Sequence, residues 1–107
     1  MTKIKLIPDP TFDATVHIPV PGKEDPTPVR FTFKHRNTDE LQKFIRKERS
    51  DVDYVLEACE GWELDDAWNR KNVAALLNTY HAAARAIAVT YLTELTGMQP
   101  REREETR

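Results

Sequence analysis

From Phe12 to Val20 the positions Phe12, Ala14, Val16, Ile18 and Val20 are apolar, with Asp13, Thr15 and His17 between them. A period of two sends alternate side chains to opposite faces, which predicts a strand with one wet face. Val29, Phe31, Phe33 and His35 alternate in the same way with Arg30, Thr32 and Lys34. Pro21, Gly22, Pro26 and Pro28 separate the two runs, and their fixed φ angles and missing donors suit a loop. The two strands are therefore expected to pair antiparallel, with the proline-rich segment as the hairpin tip. Lys3 to Ile7 reads as a further short strand, ended by Pro8 and Pro10.

At Asn37 and Thr38 the period becomes helical. Either residue can cap, Asp39 and Glu40 favour the positive first turn, and Leu41, Phe44 and Ile45 make one apolar stripe. Ser50 with Asp53 three residues on resembles a capping box. Val52, Val55, Leu56 and Cys59 form the next stripe, closed by Gly61 just past the expected helix end. Trp62 and Leu64 follow in a short connector, and connectors this apolar pack against something. Asn69 suits an N-cap for a helix bearing Val73, Leu76, Leu77 and Tyr80.

From Ala82 to Leu92 the apolar run is interrupted only by Arg85 and Thr90. A helix apolar around most of its circumference is either buried on several sides or presented to a partner. If Ile87, Tyr91 and Leu95 point inward, Val89 and Leu92 fall off that face and need a neighbouring helix or another chain. Gly97 and Pro100 end this helix, and Arg101 to Arg107 hold no apolar residue. The expected fold class is α+β: an antiparallel hairpin of two to three strands followed by about four helices. Residues 1–98 form one domain, and 99–107 a disordered charged tail.

With 107 residues the chain suits one modest core, and little protein is available to cover the last helix. The formal net charge is -2, so no overall attraction to phosphate exists and nucleic acid loses ground as a partner. No run approaches the roughly 18 apolar residues of a membrane span, and no apolar leader opens the chain. Together with a single cysteine, Cys59, this points to a soluble protein of a reducing compartment.

Charge is unevenly distributed. Lys34, Arg36, Lys43, Arg46, Lys47 and Arg49 crowd one segment, whereas Asp51, Asp53, Glu57, Glu60, Glu63, Asp65 and Asp66 follow without a Lys or Arg between them. In identical copies such patches steer head-to-tail association, with Lys43, Arg46 and Lys47 against Glu60, Glu63, Asp65 and Asp66. The simpler reading is two solvated faces whose pairs within the chain contribute about 0–1 kcal/mol each.

Glu60, Glu63, Asp65 and Asp66 lack the alternating ligands and central glycine of a calcium loop, and capping and surface charge explain them more simply. His17, His35 and His81 fall on separate elements without metal-ligand spacing. Cys59 reads as a small buried hydrophobe, and the scattered glycines make no phosphate loop. No catalytic group, cofactor or metal is expected. Trp62 and Trp68 are either core or partner anchors.

Several of these stretches carry a family resemblance: KLIPDPTF at residues 5–12, FTFKHR at 31–36, EGWELDDAWNRKNVAALL at 60–77, AARAI at 83–87, and Tyr91-Leu92. Together they resemble the tail assembly chaperones of long-tailed bacteriophages and prophages. The resemblance implies a non-enzymatic protein of the host bacterial cytoplasm that binds the tape measure protein and helps recruit tail tube subunits. It also implies absence from the mature virion, self-association into homo-oligomers, and a frameshifted longer product that contacts the tube protein. Family members often carry a proline near the position of His81. Its absence here leaves open whether the last two helices are separate or one kinked helix.

On this reading Trp62, Trp68, Val89 and Leu92 are the candidate partner-binding residues. The alternative is a small nucleic-acid-binding regulator using the basic helix from Lys43 to Arg49, marked by salt-sensitive DNA affinity. An enzyme built on the Glu60 to Asp66 carboxylates comes third.

Overall fold

The hairpin forms from strands β1 (Thr11–Ile18) and β2 (Thr27–Lys34), in a computed structural model that describes residues 4–98. The strands pair antiparallel from Thr11 opposite Lys34 to Ile18 opposite Thr27. Directly opposed residues share a face, so Phe12, Ala14, Val16 and Ile18 lie beside Phe33, Phe31 and Val29 on one side. That side is the core face, where Val16, Ile18, Phe31 and Phe33 are buried. Asp13, Thr15, His17, Arg30 and Thr32 occupy the other, where Thr32 Oγ1 donates to Asp13 Oδ1 at 2.8 Å. In the connecting segment Gly22 turns the chain with φ at 87°, a conformation that glycine reaches without a Cβ penalty.

Helices α1 (Thr38–Arg46) and α2 (Asp51–Ala58) start where their caps predict. Asn37 Oδ1 accepts from the Glu40 amide at 2.8 Å while Glu40 accepts from the Asn37 amide at 2.9 Å, a reciprocal capping box. Ser50 accepts from the Asp53 amide at 3.1 Å. The Asp53 carboxylate instead pairs with Arg70 at 2.7 Å, and that hydrogen bond holds its pKa below the usual carboxylate range. The stripe expected on α1 is narrower than its pattern: Leu41 and Phe44 are buried, but Ile45 is 55% exposed. Phe44 and Ile45 lie about 100° apart around the axis, and the core is on the Phe44 side.

Two further expectations are corrected. Helix α2 stops at Ala58, and Cys59 to Trp62 form a third strand, β3, antiparallel to β2 with Phe31 opposite Trp62 and Thr32 opposite Gly61. Gly61 is thus a strand residue, not the glycine past a helix end, and its φ is not positive. Cys59 leaves the helix in extended conformation while its amide still bonds to Val55 O. Pairing with β2 outcompetes another turn of helix, and skipping Glu60 makes a bulge. Second, residues 4–7 form no strand; Lys3 lies outside the described residues, as do Pro100 and the tail expected at 99–107.

Helices α3 (Arg70–Thr79) and α4 (Ala83–Thr96) are separate without any proline. Asn69 caps α3, accepting from the Asn72 amide at 2.8 Å, and Tyr80 ends it in extended conformation. Asn78, Thr79, Tyr80 and His81 are all mediocre helix formers, so tertiary packing breaks the helix there at small local cost. Gly97, at φ 75°, closes α4. The result is an α+β fold, a three-stranded antiparallel sheet in the order β1-β2-β3 with four helices.

Helix α4 is the centre of the second layer and is covered within the chain by β1, α2 and α3. Ala83, Ile87 and Tyr91 are fully buried at intervals of four. Tyr91 stacks on Phe33 at 5.3 Å and meets Phe44 edge-on at 5.7 Å. Its hydroxyl accepts from Arg36 Nη1 and donates to Lys34 O, both at 2.8 Å. The polar end of β2 thereby locks the last helix to the sheet.

Candidate functional site

At its tip end the core face of the hairpin stands apart from helix α3. There Ile18, Val20 and Val29 of the hairpin, Trp62 and Leu64, and Leu76 and Tyr80 of α3 bound an open groove of about 560 Å³. Thr27, Lys23, Asp66, Asn72 and Thr79 supply its polar atoms, and exposed Ala75 lines it from α3. The groove exists because β3 is four residues long against eight in β2. The register leaves the Thr27–Val29 end of β2 without a neighbour on that side. Arg30 O bonds to the Glu63 amide at 3.0 Å, so alternation turns the Pro28 backbone to the same open edge. A proline there has no donor, which blunts the edge against an added strand.

Trp62 is held in place. Its Nε1 donates to Asp66 O at 2.8 Å, its ring meets Trp68 edge-on at 5.0 Å, and it meets Phe31 at 6.1 Å. Asn72 Nδ2 donates to Ala67 O at 2.7 Å and ties the same loop to α3. The two tryptophans thus form one unit, with Trp62 lining the groove and Trp68 packed behind it.

Val89 and Leu92 lie elsewhere, on α4. Val89 is 36% exposed, whereas Leu92 is partly buried and packs against the core cluster. The four expected partner-binding residues therefore divide into a tryptophan pair at the groove and an α4 pair apart from it.

The expected charge patches are placed as follows. Lys43, Arg46 and Lys47 are exposed on or just after α1, and Glu60, Glu63, Asp65 and Asp66 are exposed on β3 and the loop after it. Among the described residues the ion pairs across these segments use other acids: Arg49 with Glu57 at 3.1 Å, Lys47 with Glu57 at 4.0 Å, and Arg70 with Asp53. Arg49 is drawn inward over the Phe44 ring at 4.2 Å and donates to Phe44 O at 2.8 Å. Its Nε makes no aligned hydrogen bond with Glu57, so that contact is ionic only. The basic segment offered to a nucleic acid is smaller than its composition suggests.

Cys59 is buried, and burial pushes its thiol up to about 12, a weak nucleophile. Among the described residues no group of three or more His, Cys, Asp or Glu side chains is arranged to hold a metal ion. No helix there is long and apolar enough to cross a membrane.

The sequence pattern singled out Trp62 and Leu64 but not the residues that complete the groove. For the hairpin side the signal was the hydrophobic alternation carried through Val20 to the edge of the proline-rich loop. Comparison with known families matches residues 1–102 to one described as phage tail assembly chaperone. No curated protein and no solved structure matches the chain.

Proposed function

Because the chain belongs to the phage tail assembly chaperone family, we propose that it binds the tape measure protein through the groove beside Trp62. The observation that carries this reading is an apolar groove left open between the hairpin tip, Trp62 and helix α3. An apolar helical segment of the client lays its i, i+3/i+4 and i+7 side chains into such a groove. Trp62 is the anchor, and because Asp66 and Trp68 already fix its ring, little rotamer entropy is lost on binding.

One groove of this size binds weakly and exchanges, as a chaperone must when tail tube subunits replace it around the tape measure protein. The host cytoplasm, the tube protein as a second partner, a frameshifted longer product and absence from the virion complete the proposal. Head-to-tail contact of Lys43, Arg46 and Lys47 with Glu60, Glu63, Asp65 and Asp66 belongs to it as well. The exposure of Val89 favours a second reading, in which the client binds on α4 at Val89 and Leu92.

Co-expression with the tape measure protein of the same phage tests both. Ala75→Arg fills the groove from an exposed helix position and is expected to leave the fold intact, as circular dichroism would show. It is expected to abolish co-purification and precipitate the client, while Val89→Asp changes neither. The reverse pattern moves the site to α4.

A further inference from the structure

Ile4, Leu6 and Ile7 are 96%, 98% and 86% exposed, large apolar side chains close in sequence that no described residue covers. Isolated exposed apolar residues need no explanation, but a contiguous set marks a contact surface. Pro8 and Pro10 follow, without backbone donors for a strand ladder, and the chain bends at Leu6, Ile7 and Pro10. The Pro10 carbonyl accepts from the His35 amide at 2.9 Å, which roots this arm at the open end of the hairpin. The groove lies at the tip end, beside Ile18 and Val29.

Ile7 and Leu6 cannot fill the groove of their own chain. From Thr11 to Ile18 the strand covers about 23 Å, at roughly 3.3 Å per residue. Ile7 stands four residues before Thr11 and reaches at most about 14 Å from it, and Leu6 about 18 Å.

We infer that the arm Ile4–Ile7 of one copy occupies the groove beside Trp62 of a second copy. Charge agrees with apolar fit. The segments flanking the groove, 19–26 and 63–69, carry Glu24, Asp25, Glu63, Asp65 and Asp66 against Lys23 alone, while residues 3–9 carry Lys3 and Lys5 against Asp9. The pair Lys5 makes with Asp9, at 3.4 Å, is fully in solvent and easily exchanged. The groove's volume is within the range of about 300–1,000 Å³ that encloses a small ligand or a few side chains. With the Pro28 edge lacking a donor, the arm is held by its side chains and not by a full strand ladder. The contact shields the groove until a client displaces it. It rests on the groove as a binding surface and not on the identity of the client.

Light scattering on a sizing column across a concentration series, in salt that screens the contact of Lys43, Arg46 and Lys47 with the acidic loop, tests this with the full chain alone. The wild type is expected to gain mass with concentration. The arm variant Leu6→Asp with Ile7→Asp changes only exposed positions and is expected to weaken association at least about tenfold. Ala75→Arg is expected to do the same. A mixture of these two variants restores association, because one supplies a working arm and the other a working groove. A monomeric wild type, an arm variant that associates normally, or a mixture that stays monomeric would overturn the inference. The arm variant is also expected to keep the tape measure protein soluble, so loss of client binding and loss of self-association are separable readouts.

Discussion

Replacing Tyr91 by Phe deletes one oxygen and leaves the stacking on Phe33 and the edge contact with Phe44 in place. The deleted atom makes two hydrogen bonds, from Arg36 and to Lys34 O, both at 2.8 Å and partly buried. A neutral bond of this kind contributes about 1 kcal/mol net, and one to a charged group about 1.5–3 kcal/mol. Arg36 is only half-buried, so water replaces part of its lost partner and the charged bond counts at the lower end. The expected loss is about 2–3 kcal/mol, to be compared with the roughly 3–5 kcal/mol for truncating a buried aromatic to Ala. With typical domain stabilities of about 5–15 kcal/mol, the Phe variant still folds.

Urea unfolding followed by circular dichroism reads this as a lower midpoint at unchanged slope. In a double-mutant cycle with Arg36→Met the two changes are expected to couple by at least about 1 kcal/mol. Arg36 also lies over the Phe44 ring at 4.2 Å, so its single variant costs more than the hydrogen bond alone. A Tyr91→Phe loss under about 0.5 kcal/mol would refute the view that this hydroxyl locks the last helix to the end of β2. The groove lies at the other end of the hairpin, so client binding by the folded variant is expected to be unchanged.

Two predictions concern titration. Burial raises the Cys59 thiol to about 12, so at pH 8 native protein is expected to react with a thiol reagent orders of magnitude more slowly than protein in urea; equal rates would place Cys59 at the surface. Burial also raises Tyr54 and Tyr91, the latter against the opposing pull of Arg36. Groups raised in the folded state stabilise it fully below their unfolded values, about 8.5 for Cys and 10 for Tyr, and that stability is lost as pH rises through the folded ones. Tyrosinate absorbance and loss of helical signal are therefore expected to rise together above about pH 10. Titration of Tyr54 and Tyr91 with the helical signal unchanged would contradict this.

Local chemistry made much of the fold legible. Alternation from Phe12 and from Val29 marked both long strands because each has one wet face, and Asn37, Ser50 and Asn69 marked helix starts because a free amide needs an acceptor within one turn. Strand β3 was not legible: Cys59 to Trp62 continues a helical stripe, and only β2 lying alongside makes it a strand. The break at Tyr80 to Ala82 had no proline to announce it. At the candidate site Trp62, Trp68 and Leu64 stood out by their size in a polar stretch. The groove itself did not, because it is a gap between a long strand and a short one.

The sequence by itself determined the α+β class, the polar face of the hairpin, the caps and the apolar character of α4, all of which depend on neighbours within a few positions. Tertiary structure decided that α4 is covered by β1, α2 and α3, that Trp62 lines an open groove, and that Ile4 to Ile7 find no strand to join. The physical reason is that burial is a property of what lies across the core. A periodic pattern states which face of an element is apolar, but only packing states whether that face is already filled.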